Sequence, residues 1–108
     1  MIDIIKSPHD QLEYLYLKLS NEINVILINN EDTESSAVAL RVETGSYQDP
    51  ENHQGMAHFL EHLLFMGSSK YPNVDHYSDF ITKNGGSYNA FTEDAATTYY
   101  HEIRNEVI

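Results

Sequence analysis

The chain has 108 residues, 41% of them hydrophobic and including eight Tyr and four Phe, which is enough for one core and too short for two. Six basic against seventeen acidic side chains give a formal net charge of -11, which repels nucleic-acid phosphates and anionic lipid and argues against both as partners. The absence of cysteine excludes disulfides and thiolate metal sites, leaves His and carboxylates as the only candidate ligands, and fits a reducing compartment.

Residues 1–12 are expected to form an N-terminal arm, because they lack periodicity and contain Ser7-Pro8. Asp3 and Lys6 flank a short apolar pair, and no run approaches the roughly 18 to 20 apolar residues of a membrane span. Neither anchor nor signal peptide is expected, and a cytoplasmic location is favoured. From Glu13 to Leu19, Leu15, Leu17 and Leu19 alternate with Tyr14, Tyr16 and Lys18, the period of a strand. Asn21-Glu22 is expected to turn the chain into a returning strand over Ile23 to Ile28. After the polar stretch Asn29 to Ser36, the alternation of Val38, Leu40 and Val42 predicts a third strand over Ala37 to Thr44. Gly45 to Asn52, with its Asp49-Pro50, reads as a loop.

Helical spacing then predicts a helix from about His53 to Met66, ended by Gly67. A second helix is expected over Asp75 to Asn84, with Asp75 as N-cap, an apolar stripe of Tyr77, Phe80 and Ile81, and Gly85-Gly86 as its end. Lys70-Tyr71-Pro72 reads as the turn between helices. Two further strands fit Ser87 to Thr92 and Ala96 to Ile103, with one of the rings Tyr99 and Tyr100 directed inward and the other outward. The order predicts an α+β fold: a mixed or antiparallel sheet of about five strands with two helices packed on one face.

The first helix carries the chemistry. At about 100° per residue, with His58 at zero, Glu61 falls near 300°, Phe65 near 340° and His62 near 40°. Met56, Ala57, Phe59, Leu60, Leu63 and Leu64 occupy a wide apolar face that is expected to enter the core. His58 and His62, one turn apart, can reach a single zinc ion. Glu61 stands beside them, placed to take a proton from water activated by the metal. The competing reading is the polar side of an ordinary amphipathic helix, although two His and a Glu in so apolar an element are costly unless coordinated or paired. His53, His76 and His101 have no partner at ligand spacing and are expected to be surface or loop residues, while His9 lies in the arm.

The order His-x-x-Glu-His, over His58 to His62, is the inverzincin signature. Together with the run Gly55 to Gly67 (GMAHFLEHLLFMG), Lys70 to Pro72 (KYP), Gly85 to Thr92 (GGSYNAFT) and Thr98 to Tyr100 (TYY), it resembles the insulinase (pitrilysin) family of zinc metallopeptidases. The likeness is strongest to the insulin-degrading-enzyme branch and runs from about Tyr14 to the C-terminus. The resemblance implies that residues 13–108 are the N-terminal portion of a single, larger insulinase-type catalytic domain. It further implies that His58 and His62 bind zinc, that Glu61 is the general base, and that Phe65 lines a pocket for a substrate side chain. Ser87 to Phe91 would be a sheet edge to which an extended peptide adds as a strand, with Asn89 and Ala90 at the backbone-pairing positions. Read without the family, Asn89, Ala90 and Phe91 are a plain strand.

In the family the third ligand is a Glu on a later helix, further from the second His than this chain extends, and Glu93, Glu102 and Glu106 do not stand where that pattern puts it. The remainder of a parent protein is therefore expected to supply the third ligand and further substrate contacts. The isolated chain is expected to hold zinc weakly or not at all and to cleave nothing, while the parent is an active endopeptidase for peptides or small unfolded polypeptides. A sheet edge left open would favour self-association of the isolated chain. The alternatives are a non-catalytic family-like subunit that binds or presents substrate, against which the intact trio argues, and a small metal-binding module complete at this length.

Overall fold

The computed structural model describes residues 4–107; Met1, Ile2 and Asp3 of the N-terminal arm, and Ile108, lie outside the described residues. The described chain gathers into two compact units divided between Thr33 and Glu34. The five strands accordingly form two antiparallel sheets instead of a single one, and the fold is α+β.

In the first unit, β1 (Glu13–Lys18) and β2 (Asn24–Asn29) form a hairpin. Glu22 adopts a left-handed φ of 69° at the turn, which closes through Glu22 N–H donating to the Leu19 carbonyl at 2.9 Å. The register pairs Leu15 with Leu27 and Tyr16 with Ile26, so both faces of the hairpin carry apolar side chains. Part of the arm is tied to this hairpin: Asp10 accepts from Leu12 N–H and from the Tyr14 hydroxyl, and these bonds hold its carboxyl below the usual carboxylate range.

The second unit contains β3 (Ser35–Val42), α1 (Met56–Leu63), α2 (His76–Lys83), β4 (Ser87–Thr92) and β5 (Thr97–Arg104). Its sheet has the order β3-β5-β4, so β4 is an edge strand. Register sets the two faces. Tyr88, Ala90 and Thr92 of β4 share a face with Thr97, Tyr99, His101 and Ile103 of β5, and both helices contact β4. That face holds most of the small core, with Ile103, Thr97 and Ile81 buried. Tyr99 is half-buried and Tyr100 exposed, as the alternation requires. On β3 the residues of the same face, Val38, Leu40 and Val42, stay exposed in this unit.

Two glycines are dictated by close approach. A Cβ on Gly45 would lie 2.1 Å from the Glu93 carbonyl oxygen, because the 3-10 turn Ser46–Gln48 rides directly on the β4–β5 turn. One on Gly86 would lie 2.2 Å from the Glu102 carbonyl, where α2 hands over to β4. At that point Gly85 N–H bonds the Thr82 carbonyl and Gly86 N–H the Ile81 carbonyl, a Schellman end made possible by Gly85 at φ 70°. Asp75, by contrast, makes no side-chain cap. Asn73 does the local work instead, its Oδ1 accepting from Asp75 N–H at 3.0 Å, so α2 begins at His76.

Candidate metal centre

The expected long helix around the two His is shorter than its sequence period suggests. Gly55 takes φ 89° and breaks the helical path, so α1 begins at Met56 and not near His53. Its first amides are met from outside the element: the Asp49 carboxylate accepts from Gly55 N–H at 2.7 Å and Ala57 N–H at 2.9 Å. An anion there satisfies orphan donors and the positive end of the helix dipole, a cap worth about 1 kcal/mol. Asp49 lies too far upstream for a local capping motif, so spacing gives no hint of its role. At the other end, Met66 N–H bonds the Leu63 carbonyl and Gly67, at φ 91°, turns the chain away.

The rotation of α1 on the sheet corrects one expectation. The residues turned inward are Ala57, Glu61 and Phe65, each four apart, and Glu61 is only 8% exposed. The stripe expected in the core is open, with Phe59 62% and Leu60 51% exposed. The reason is tertiary: the sheet meets the helix at the margin of its apolar face, and a three-stranded sheet is too narrow to cover the rest.

His58 and His62 project to solvent, with ring centroids 4.8 Å apart and Nε2 atoms 2.9 Å apart. At that separation one ring donates and the other accepts, the roles being set by the tautomers. Two imidazole nitrogens on one tetrahedral zinc, each at about 2.0 to 2.1 Å, would stand about 3.3 Å apart. The observed pair needs to open by only a few tenths of an ångström, and neutral imidazole is the right donor, so these residues fit zinc. Among the described residues no group of three His, Asp or Glu could hold a metal. A cleft of about 550 Å³ lies over the pair, lined by Ser46, Asp49, Gly55, His58, Phe59, His62 and Thr92.

Glu61 lies behind this cleft. Its Oε2 accepts a hydrogen bond of 2.5 Å from the Thr92 hydroxyl. Oε1 takes no donor among the described residues, and since no unpartnered polar atom is buried there, it touches solvent. Burial, and then the Glu61 charge, raise the Tyr99 phenol above its ordinary pKa, which keeps that ring neutral beside the carboxylate. Spacing along the chain does not single out Thr92, because it is the strand register and not the helix that brings it to Glu61.

The remaining candidates fall elsewhere. Phe65 does not border the His cleft; it packs among Tyr77, Tyr88 and Tyr99 at centroid distances of 5.5, 4.9 and 6.1 Å and ties α1 to β4 and β5. Ser87, Asn89 and Phe91 project from the exposed face of β4, and Asn89 Oδ1 accepts from Ala90 N–H at 2.8 Å. His101 is not a loop residue: it sits half-buried in β5 with its Nδ1 2.8 Å from the Tyr77 hydroxyl, while His76 stacks on Tyr71. Neither joins the His58–His62 pair.

A family model described as insulinase (peptidase family M16) matches residues 24–108. The chain belongs to the insulinase family. Its relatives include the insulin-degrading enzyme of Mus musculus, 47% identical over 103 residues, which covers 95% of this chain and 10% of that protein. The A-factor-processing enzyme of Saccharomyces cerevisiae is 39% identical over 105 residues, covering 97% of this chain and 10% of that one. Among solved structures, pitrilysin superposes with a TM-score of 0.92 at 40% identity, covering 96% of this chain and 11% of that chain. The chain thus spans about a tenth of the length of these insulinase relatives, and it carries the fold of the corresponding segment of an insulinase-type peptidase.

Proposed function

We propose that this chain contributes the metal-binding helix and the substrate strand of a zinc-dependent metalloendopeptidase acting on peptides or small unfolded polypeptides. The observation that carries the reading is the convergence of the His58 and His62 Nε2 atoms beside a buried carboxylate with one oxygen facing solvent. Zinc, when bound, would supply Lewis acidity that makes water a nucleophile near neutral pH. His58 and His62 hold the ion through neutral nitrogens. Glu61 takes the proton from the attacking water at Oε1, since Oε2 is engaged by Thr92.

Substrate binds as an added strand along the outer edge of β4, where main-chain pairing tolerates many sequences. Asn89 and Ala90 are the pairing positions, with Ser87 and Phe91 beside them on the exposed face. The Asn89 side chain, which occupies the Ala90 amide, yields that donor to the incoming peptide carbonyl.

Catalytic zinc ordinarily has three protein ligands, and two imidazoles alone orient it poorly. The third ligand is proposed to come from the longer protein that the family's length implies. Calorimetric titration of the isolated chain with zinc is accordingly expected to show weak or no binding, and peptide assays no turnover. Tight zinc binding with robust cleavage by this chain alone would contradict the requirement for a further ligand.

A further inference from the structure

Thr92 and Thr97 face each other across the last rung of the β4–β5 hairpin, on the face turned toward α1. Their hydroxyls have different duties. Thr97, 4% exposed, donates to the Thr44 carbonyl at 2.8 Å and lies 3.5 Å from the Thr92 hydroxyl oxygen. Thr97 gives its one proton to Thr44, and the Thr92 hydroxyl gives its own to Glu61 Oε2, a charged acceptor at 2.5 Å, in preference to the neutral Thr97 oxygen at 3.5 Å. The bond joins helix to sheet across 31 positions of sequence, and it distinguishes the two oxygens of Glu61.

We propose that Thr92 is a positioning residue for the hydrolytic step: by anchoring Oε2 it fixes the carboxylate plane so that Oε1 alone is presented to the His58–His62 cleft. The proposal rests on the reading of Glu61 as general base. A carboxylate on a Glu side chain has three rotatable bonds, and a base misplaced by about an ångström loses of the order of a hundredfold in rate. The anchor removes that freedom by acting through Glu61, so its loss is expected in kcat far more than in KM.

The test uses the full-length protein carrying this segment, with Thr92→Val (same shape, no donor), Thr92→Ser (donor kept), Glu61→Gln, and the double variant. Thr92→Val is expected to lower kcat by about ten- to a hundredfold with KM within about twofold. Zinc content per molecule should be unchanged, and Thr92→Ser should recover most of the rate. In the Glu61→Gln background Thr92→Val should cost nothing further, because residues that act as a unit are not additive. Wild-type kcat in Thr92→Val, an equal loss in Thr92→Ser, or a full additional loss in the double variant would each overturn the proposal. If Thr92→Val melts below the assay temperature, Thr92→Ala carries the same comparison. Should Glu61→Gln alone keep wild-type activity, it is the general-base reading that fails, and the two failures are told apart.

Discussion

Replacing Glu61 by Gln in the full-length protein is expected to lower kcat by about a hundred- to ten-thousandfold, the usual contribution of a positioned general base, with zinc content unchanged. Gln matches Glu in size, and its amide oxygen can still accept the Thr92 hydrogen bond that Glu61 accepts through Oε2. What it lacks is a site for the proton of the attacking water. Zinc is expected to be retained because the proposed ligand nitrogens are those of His58 and His62, whose Nε2 atoms converge on each other without help from the carboxylate. Metal analysis beside steady-state kinetics therefore separates the roles: lost cleavage with retained zinc marks a base, whereas lost zinc would mark Glu61 as a ligand. Unchanged cleavage would remove it from the chemistry.

Gly45→Ala is expected to give the largest loss of stability in the chain. The new methyl would lie 2.1 Å from the Glu93 carbonyl oxygen, 2.6 Å from the Ala96 nitrogen and 2.7 Å from the Asp94 carbonyl oxygen, all of them backbone atoms of the β4–β5 turn. None can retreat cheaply, because Ser46 N–H and Tyr47 N–H bond the Glu93 and Asp94 carbonyls at 3.0 and 2.8 Å. Overpacking commonly costs about 1 to 3 kcal/mol, and a clash against three fixed backbone atoms belongs at or above the top of that range. Gly55→Ala is the control. Its φ of 89° is strained for Ala, but a Cβ there meets nothing within 4 Å, so about 1 to 2 kcal/mol is expected. Denaturant unfolding of both variants ranks them, and an equal or smaller loss in Gly45→Ala would refute the packing argument. Since Thr44, next to Gly45, accepts from Thr97, the same substitution should also disturb the hydroxyl pair behind Glu61.

What was legible in the sequence follows from the range of the interactions involved. The bounds of β4 were readable because Gly86 and the polar turn after Thr92 punctuate a clean alternation, and the end of α2 because Gly85-Gly86 encodes its own hydrogen bonds. The spacing of His58 and His62 puts both rings one turn apart on any helix, and the structure has them there. Contacts set by distant residues were not readable. Asp49 caps α1 across a loop, Thr92 reaches Glu61 through strand register, and Glu61 is buried because the sheet meets the helix on the Ala57–Glu61–Phe65 line. A helical wheel shows which residues share a face; it does not show which face a sheet will cover. The division of the strands into two sheets is likewise a matter of pairing, and alternation alone is silent on it.

Anomalous diffraction at the zinc edge from crystals of the full-length protein probes the metal centre most directly. The expected peak lies between the two rings, about 2.0 to 2.1 Å from the Nε2 atoms of both His58 and His62, with the Glu61 carboxylate outside bonding distance. A peak at any other set of side chains, or one with Glu61 bound directly to the ion, would contradict the account.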